Sequence, residues 1–365
     1  MKKSFKIISS AVSAMVLMSS FAHAASTESR LENLEAGLEL AEEANAELRT
    51  ELENRMRISG YVDVEYVVTD DNDPGFRMHH LSLFFQKKLS DKWRFFSEIE
   101  YEDAPKFESN SDTTLKASQG KIFVEAVNMD YLWKPEAIFR VGRFFTPAGI
   151  WSVDHYPPFV SMQERPKHIR AIFPQLVDGA MVYGTFGLGK HYLNYNAYIG
   201  NGEGNNGHND SNNQRAIGLK TSLIASVPLL SNLEFGGTVY SDSRTTNDNS
   251  SKTALGGHLK ASMMDLTLQS EASFAKFEAD AAGATNPTTR KGYYAQLTYS
   301  PNQWAGGFRH DYYEDGSTKN RVANSVFVNY QALTNLVLKV EHHMISEDSK
   351  DDKTKTVFSI VSYLE

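Results

Sequence analysis

From Ile58 to the end of the chain, one pattern recurs: segments of about ten residues in which apolar and polar side chains alternate. In the segment YYAQLTYS, Tyr293 and Leu297 fall on one face, whereas Gln296 and Thr298 fall on the other. An alternation with a period of two residues predicts a β-strand with two unlike faces. About ten residues is also the length of a tilted strand that crosses a membrane. The pattern therefore favours an all-β, membrane-spanning fold.

Sixteen such segments can be counted, and they predict a 16-stranded antiparallel transmembrane β-barrel over residues 58–365. The predicted strands cover residues 58–68, 77–89, 92–102, 120–133, 137–144, 177–186, 190–199, 214–224, 232–241, 252–261, 265–277, 291–300, 303–312, 321–330, 335–345 and 354–364. An even number is the rule in bacterial barrels of this kind. Fourteen strands remain the alternative if the segments 120–133 and 252–261 are not strands.

The connections between the segments alternate in length. Those after even-numbered strands are short, as at Pro301-Asn302, and most of those after odd-numbered strands are long and polar, as in NGEGNNGHNDSNN. Outer-membrane barrels have short periplasmic turns, long outer loops and aromatic girdles at both membrane interfaces. The aromatic residues predicted to form these girdles are Trp93, Tyr101, Trp133, Tyr293, Tyr299, Trp304, Tyr312, Tyr330 and Tyr363.

The N-terminus predicts export. Three lysines precede a mostly apolar run over residues 7–21, and Ala22-His23-Ala24 resembles a cleavage site, so residues 1–24 are interpreted as a signal peptide. An uncleaved membrane anchor is the alternative. The mean hydropathy of −0.42 excludes a protein built from membrane-spanning helices. The chain has a formal net charge of −8, which argues against nucleic acid as a partner, and no cofactor is predicted.

Residues 25–57 predict a short periplasmic coiled coil. Its flanking positions are rich in Glu, and an apolar heptad pattern with one Asn at a core position favours self-association. The predicted core residues are Leu31, Leu34, Leu38, Asn45, Leu48 and Leu52. A single solvated amphipathic helix is the alternative.

The connection over residues 145–176 is the longest, and it would be the third outer loop. It contains five prolines and many aromatic residues, so we expect it to fold against the inner wall and narrow a lumen that wall side chains alone cannot fill. Basic residues are how anion-attracting pores are lined. The candidate pore-lining or solute-binding residues are Arg94, Arg140, Arg143, Arg165, Lys167, His168, Arg170 and Arg309. Arg140 and Arg143 differ in parity, so a regular strand can point only one of them inward.

The segment FRVGRFFTPAGIW, a strand followed by G-R-F-x-x-P-x-G, resembles the corresponding segment of phosphate-selective-type porins of Gram-negative bacteria. The resemblance implies a sixteen-stranded, trimeric outer-membrane channel with a constricting third loop. It also implies contact with the lipid bilayer and lipopolysaccharide.

The preferred function is passive diffusion of small hydrophilic solutes, with a leaning towards anions or phosphate. A structural barrel tethered to peptidoglycan through its coiled coil is the alternative, and a hydrolase using Asp154 and His155 is a third hypothesis. No catalytic or metal site is predicted, because neighbours such as His79-His80 and His342-His343 should face opposite sides of a strand.

Overall fold

Sixteen antiparallel strands close into a single barrel in which each strand pairs with its neighbours in the sequence and β1 pairs with β16. The computed structural model describes residues 35, 37–43, 45, 55–109, 115–202, 215–243, 251–278, 288–316, 320–348 and 350–364. The strands are β1 Arg57–Thr69, β2 Asn72–Ser90, β3 Trp93–Ser109, β4 Leu115–Lys134, β5 Ala137–Phe145, β6 Leu176–Leu188, β7 His191–Gly200, β8 Ala216–Ile224, β9 Asn232–Ser243, β10 Ser251–Met263, β11 Leu266–Phe277, β12 Thr288–Tyr299, β13 Trp304–Glu314, β14 Asn320–Leu333, β15 Leu336–Glu347 and β16 Lys353–Leu364.

The predicted fold class and all sixteen predicted strands are confirmed, including β4 and β10, on which the fourteen-stranded alternative depended. The alternation places apolar side chains on the outer surface. Leu297, Val328 and Ile360, for example, are about half exposed there. Polar and charged side chains alternate with them and face the interior, where many are buried. The barrel therefore differs from a soluble β-sandwich, because its outer surface is apolar and its interior is polar.

The aromatic residues near the strand ends mostly lie on the outer surface as predicted. Trp133 and Trp304 are 60% and 54% exposed, and Trp304 packs on Tyr330 at a ring distance of 4.7 Å. Tyr363 is an exception. It pairs with Tyr61, which is buried in the interior, and its ring lies 5.5 Å from that of Phe159. Its prediction as a girdle residue was wrong, because the pairing register turns it inward.

The connection between β3 and β4 differs from its prediction as a polar loop. Strand pairing continues to Ser109 and Leu115, far beyond the predicted strand ends, after irregularities between Glu98 and Ile99 and between Glu102 and Lys106. Asp103, at φ 55°, and Gly120, at φ 63°, accommodate the second irregularity with left-handed backbone. The bulges bend the hairpin, so alternation in the sequence breaks down there although pairing continues.

Residues 37–43 are helical, and Leu38 and Leu40 in this segment are largely exposed. Most of the predicted coiled-coil core and the whole predicted signal peptide lie outside the described residues. Within the described part of the chain, no helix combines the length and apolar character that crossing a membrane requires.

Candidate pore constriction

The connection between β5 and β6 folds into the barrel interior and packs against the inner wall. Phe144, Ala148 and Phe173 belong to a buried cluster that also contains wall residues from β6 to β11, among them Tyr240. Trp151 and Tyr294 form a second buried cluster. The expectation that the loop buries its apolar residues on the wall is therefore confirmed. We call the segment between β5 and β6 the third loop.

The third loop is not irregular throughout, as its composition suggested. A six-residue helix, α1, spans Lys167–Ile172 and follows Pro166, whose φ of −55° is compatible with a helix start. Its buried residues are His168, Ile169 and Ile172, so one side of this short helix faces the wall.

Basic side chains of the wall hold the loop backbone in place. Lys339 is 2% exposed, and its Nζ donates hydrogen bonds to the carbonyl oxygens of Pro157 at 2.5 Å and Val160 at 2.6 Å. Arg309 donates to the Glu164 carbonyl at 2.7 Å, and Lys220 donates to that of Gly149. Hydrogen bonds to charged donors are the strong ones in proteins.

Acidic side chains of the wall complete this anchoring by accepting hydrogen bonds from loop N–H groups. Glu271 accepts from the Trp151 amide at 2.9 Å, and Glu341 accepts from the Gln163 amide at 2.5 Å. The loop therefore meets the wall through apolar packing and through charge-assisted hydrogen bonds from several strands. Such an arrangement satisfies polar backbone groups that would otherwise be buried without partners.

A further anchor joins a loop carboxylate to the last strand. Lys355 donates to Glu164 at 2.7 Å. Although burial acts in the opposite direction, the Lys355 charge lowers the pKa of Glu164 to about 2. The Glu164 carboxylate therefore remains ionised at pH values well below the usual pKa of a glutamate.

A cavity of about 490 Å³ remains between the third loop and the wall formed by β1 to β4. The side formed by the loop carries three basic residues, Arg165, Lys167 and Arg170, and one carboxylate, Glu164, which pairs with Lys355. The opposite side is predominantly acidic, and its charged and titratable wall residues are Arg77, His79, His80, Glu100, Glu102, Asp103, Lys121 and Glu125. Charges of opposite sign thus face each other across an open space.

The three basic loop residues make no ion pair with a carboxylate in the part of the chain that the structure describes. Burial and the charge of Arg170 lower the pKa of Arg165, but only to about 10, so it remains a cation at neutral pH. A polar solute in this cavity would therefore lie in a transverse electric field. That field, and not a uniformly positive lining, is the electrostatic character of the site.

The predicted candidate residues divide into several groups. Arg165, Lys167 and Arg170 line the cavity. Arg94 and Arg140 lie on the inner wall, where both bind the Asp130 carboxylate, at 3.3 and 2.7 Å. Two guanidinium groups thus share one carboxylate, which also accepts a hydrogen bond from the Tyr183 hydroxyl at 2.8 Å.

Three candidates do not line the cavity. Arg143 has the parity of Val141, which is 48% exposed on the outer surface, and it pairs with Asp178 at 2.6 Å. Arg309 is buried, and it holds the third loop and pairs with Asp311. His168 is 1% exposed and packs near Tyr294, and burial lowers its pKa to about 3. None of these three residues lines the cavity, and their contact with a solute stays a prediction.

Asp154 and His155 do not form an acid/base pair. Asp154 is exposed, whereas His155 is buried beside Phe145 and Tyr156. Burial and the charge of Arg165 lower the pKa of His155 to about 3, which leaves it neutral. The geometry therefore does not supply the dyad on which the hydrolase hypothesis depended.

Sequence reasoning missed the wall residues that anchor the loop, chiefly Lys220, Glu271, Lys339 and Glu341. The alternation of β15 did indicate the orientation of Lys339, because Leu338 and Val340 on either side of it are exposed on the outer surface. A lysine between two outward apolar residues must point inward. Its partners on the third loop could not be deduced, since they are 179 and 182 residues away.

The sequence comparisons give limited information. No family model matches the chain. A protein of Aquifex aeolicus (strain VF5), described as uncharacterized, is 32% identical over 149 residues, which are 40% of this chain and 32% of that protein. The chain thus spans about a third of the length of this relative.

The fold has close counterparts among solved outer-membrane barrels. OmpTdeltaL8, a loop-deletion mutant of an outer-membrane protein of Vibrio cholerae, has a TM-score of 0.59 and 13% identity, covering 85% of this chain and 99% of that chain. OprB of Pseudomonas putida has a TM-score of 0.59 and 12% identity, with coverages of 87% and 96%. OmpF of Salmonella typhi has a TM-score of 0.57 and 11% identity, with coverages of 85% and 98%. At these identities the likeness shows a porin-like barrel fold.

Proposed function

We propose that this protein is an outer-membrane porin, a passive diffusion channel for small hydrophilic solutes, exported to the outer membrane of a Gram-negative bacterium. The observation that carries the proposal is the third loop, anchored inside a closed 16-stranded barrel and facing charged wall residues across a cavity of about 490 Å³. A loop that narrows the lumen makes a wide barrel selective. The apolar outer surface suits contact with the bilayer and lipopolysaccharide.

The solute preference follows from the two charged sides of the cavity. Arg165, Lys167 and Arg170 would attract an anionic group such as a carboxylate or phosphate, and the acidic wall would hold a cationic or hydrogen-bond-donating group. The two sides oppose each other, so we expect a weak preference for anions over cations. Solutes that carry charges of both signs, or that are strongly dipolar, would align in this field.

A homotrimer is the proposed assembly. One solved structure of OmpT from Vibrio cholerae is described as a trimer form, and its TM-score with this chain is 0.57. Residues 25–57 would add an acidic periplasmic extension. In the porin proposal this extension would help to assemble the trimer. In the structural alternative it would attach the barrel to peptidoglycan.

Planar-bilayer recording of the purified mature protein tests the channel function. We expect ohmic conductance steps and a small anion-directed reversal potential in a KCl gradient. The matched comparison is a double variant, Arg165→Gln with Arg170→Gln, which keeps the barrel and removes two cavity charges. Protein that is folded and inserted but gives no steps would refute the channel. Cation selectivity in the unaltered protein would refute the role of the basic loop.

A further inference from the structure

Two consecutive histidines on β2 point into the same cavity. Strict alternation would place His79 and His80 on opposite faces, yet both rings line the cavity, with their centroids 3.6 Å apart and their planes tilted by 36°. The expectation that they face apart was therefore wrong. Arg77, which has the same parity as His79, also lines this cavity. Residues of both parities therefore face inward, so the regular alternation of β2 is interrupted at this point.

The other histidine pair shows what regular alternation produces. His343 is 1% exposed in the interior, where it contacts Ser325. His342 has the parity of Val340 and Met344, which are exposed on the outer surface. This pair is split between the two faces, as predicted. The juxtaposition at His79 and His80 is thus a local property of β2.

The two histidines lie beside one shared carboxylate. The Asp63 Oδ2 atom lies 3.1 Å from His79 Nδ1 and 3.6 Å from His80 Nδ1, and Glu65 Oε1 lies 2.9 Å from His79 Nδ1. Zinc–nitrogen and zinc–oxygen bonds of about 2.0–2.2 Å place tetrahedral ligand atoms roughly 3.3–3.5 Å apart. The separations of Asp63 from the two histidines bracket that spacing, so one ion could bind these three residues in place of the proton that His79 shares with its carboxylate neighbours.

The surroundings of these ligands also favour a cation. Asp63 is completely buried, and its Oδ1 atom has no hydrogen-bond partner among the described residues. His80 Nε2 faces Glu102 Oε1 at 3.6 Å and Glu100 Oε1 at 3.9 Å. Carboxylates beside one ring nitrogen hold a proton there and leave the other nitrogen free as a ligand. Here the free nitrogen is Nδ1, the atom that faces Asp63.

We propose that Asp63, His79 and His80 form a binding site for a divalent transition-metal ion on the inner wall of the barrel. Two imidazoles and one carboxylate suit zinc and its neighbours better than magnesium or calcium, which prefer oxygen ligands alone. Glu65, which accepts a hydrogen bond from His79, lies 3.6 Å from Arg77, and Arg77 also pairs with Asp103 outside the site.

A bound ion would change the electrostatics of the cavity. It would add two positive charges to the acidic wall that faces Arg165, Lys167 and Arg170. The transverse field would weaken, and the cavity as a whole would become more attractive to anions. The metal would therefore adjust the selectivity of the proposed channel, although binding itself does not depend on conduction.

Zinc binding to the full mature chain, folded in detergent and lacking any polyhistidine tag, tests the site. Calorimetry and equilibrium dialysis should show one saturable Zn²⁺ per chain, and Co²⁺ should give the strong visible absorption of tetrahedral coordination. His79→Gln and His80→Gln should each weaken binding by about tenfold or more. His342→Gln is the matched control, and it should bind like the unaltered chain.

Two results would overturn the proposal: no saturable binding by the folded chain, or equal affinity in the His79→Gln/His80→Gln double variant. Folding of each variant is checked by the heat-dependent electrophoretic mobility typical of closed barrels. If the double variant does not fold, the two single variants decide, since unchanged affinity in both also refutes the site. Zinc binding without conductance would support the metal site and contradict only the channel function.

Discussion

Replacing Lys339 with methionine should release part of the third loop from the wall. The methionine side chain is similar in length and fits the same buried space, but it cannot donate a hydrogen bond. The substitution removes the two hydrogen bonds, 2.5 and 2.6 Å long, that hold the carbonyl oxygens of Pro157 and Val160. No other protein donor to these two oxygens is found within the described residues, so both would lose their partner.

The expected magnitude follows from these two bonds. A hydrogen bond to a charged group contributes roughly 1.5–3 kcal/mol, so the gross loss is about 3–6 kcal/mol. Part of this is regained, because the variant no longer buries an ammonium group, whose desolvation costs several kcal/mol. A net loss of about 2–3 kcal/mol for the docked loop is a reasonable expectation, and it corresponds to roughly 30- to 150-fold more frequent release.

Limited proteolysis of the loop and single-channel recording measure this release. Cleavage between β5 and β6 should accelerate by about the same factor, and the current should show frequent excursions to higher conductance. Lys353→Met is the matched control. Lys353 pairs with Asp71 outside the barrel interior and does not contact the loop. Identical cleavage rates and current noise in Lys339→Met and the unaltered protein would refute the anchoring role of this lysine.

Three further predictions concern charge and assembly. Arg165→Gln with Arg170→Gln should move the reversal potential in a KCl gradient towards cation preference, because the acidic wall remains; an unchanged potential would contradict the proposed field. The Glu164–Lys355 anchor depends on a carboxylate whose pKa falls from 4.5 to about 2. Its contribution is complete above 4.5 and is lost as the pH falls towards 2, so loop cleavage by an acid-active protease should stay slow at pH 4 and rise near 2, whereas Glu164→Gln should be fast throughout. Deleting residues 26–57 should abolish trimers on native electrophoresis if this segment assembles them; intact trimers that no longer sediment with peptidoglycan would support a tether instead.

The strands could be predicted because each repeats a simple physical rule. Every strand must present apolar side chains outward and polar ones inward. Each segment of the sequence therefore shows the apolar–polar alternation by itself. Strand ends were less predictable where geometry departs from that rule. The bulge between Glu98 and Ile99 leaves Glu125 without a partner on β3, and both Glu125 and its neighbour Ala126 are buried. No local feature of the sequence marks that insertion.

The constriction could be predicted only in outline. Proline and aromatic content indicated a loop that folds inward, and three of its basic residues do line the cavity. His168 was misplaced because α1 turns it towards Tyr294, and a six-residue helix is too short for its period to be recognised. Pairings such as Lys220 with Gly149 or Glu271 with Trp151 join residues 71 and 120 positions apart. Only the closed barrel brings them together.

The anchors of the third loop also impose an order on biogenesis. Several of them belong to the end of the chain: Lys339 and Glu341 lie on β15, and Lys355 lies on β16. A chain whose last two strands are not yet paired would have the anchors on β8, β11 and β13 but would lack those on β15 and β16. Pairing of the final hairpin would therefore both close the sheet and complete the attachment of the third loop to the wall.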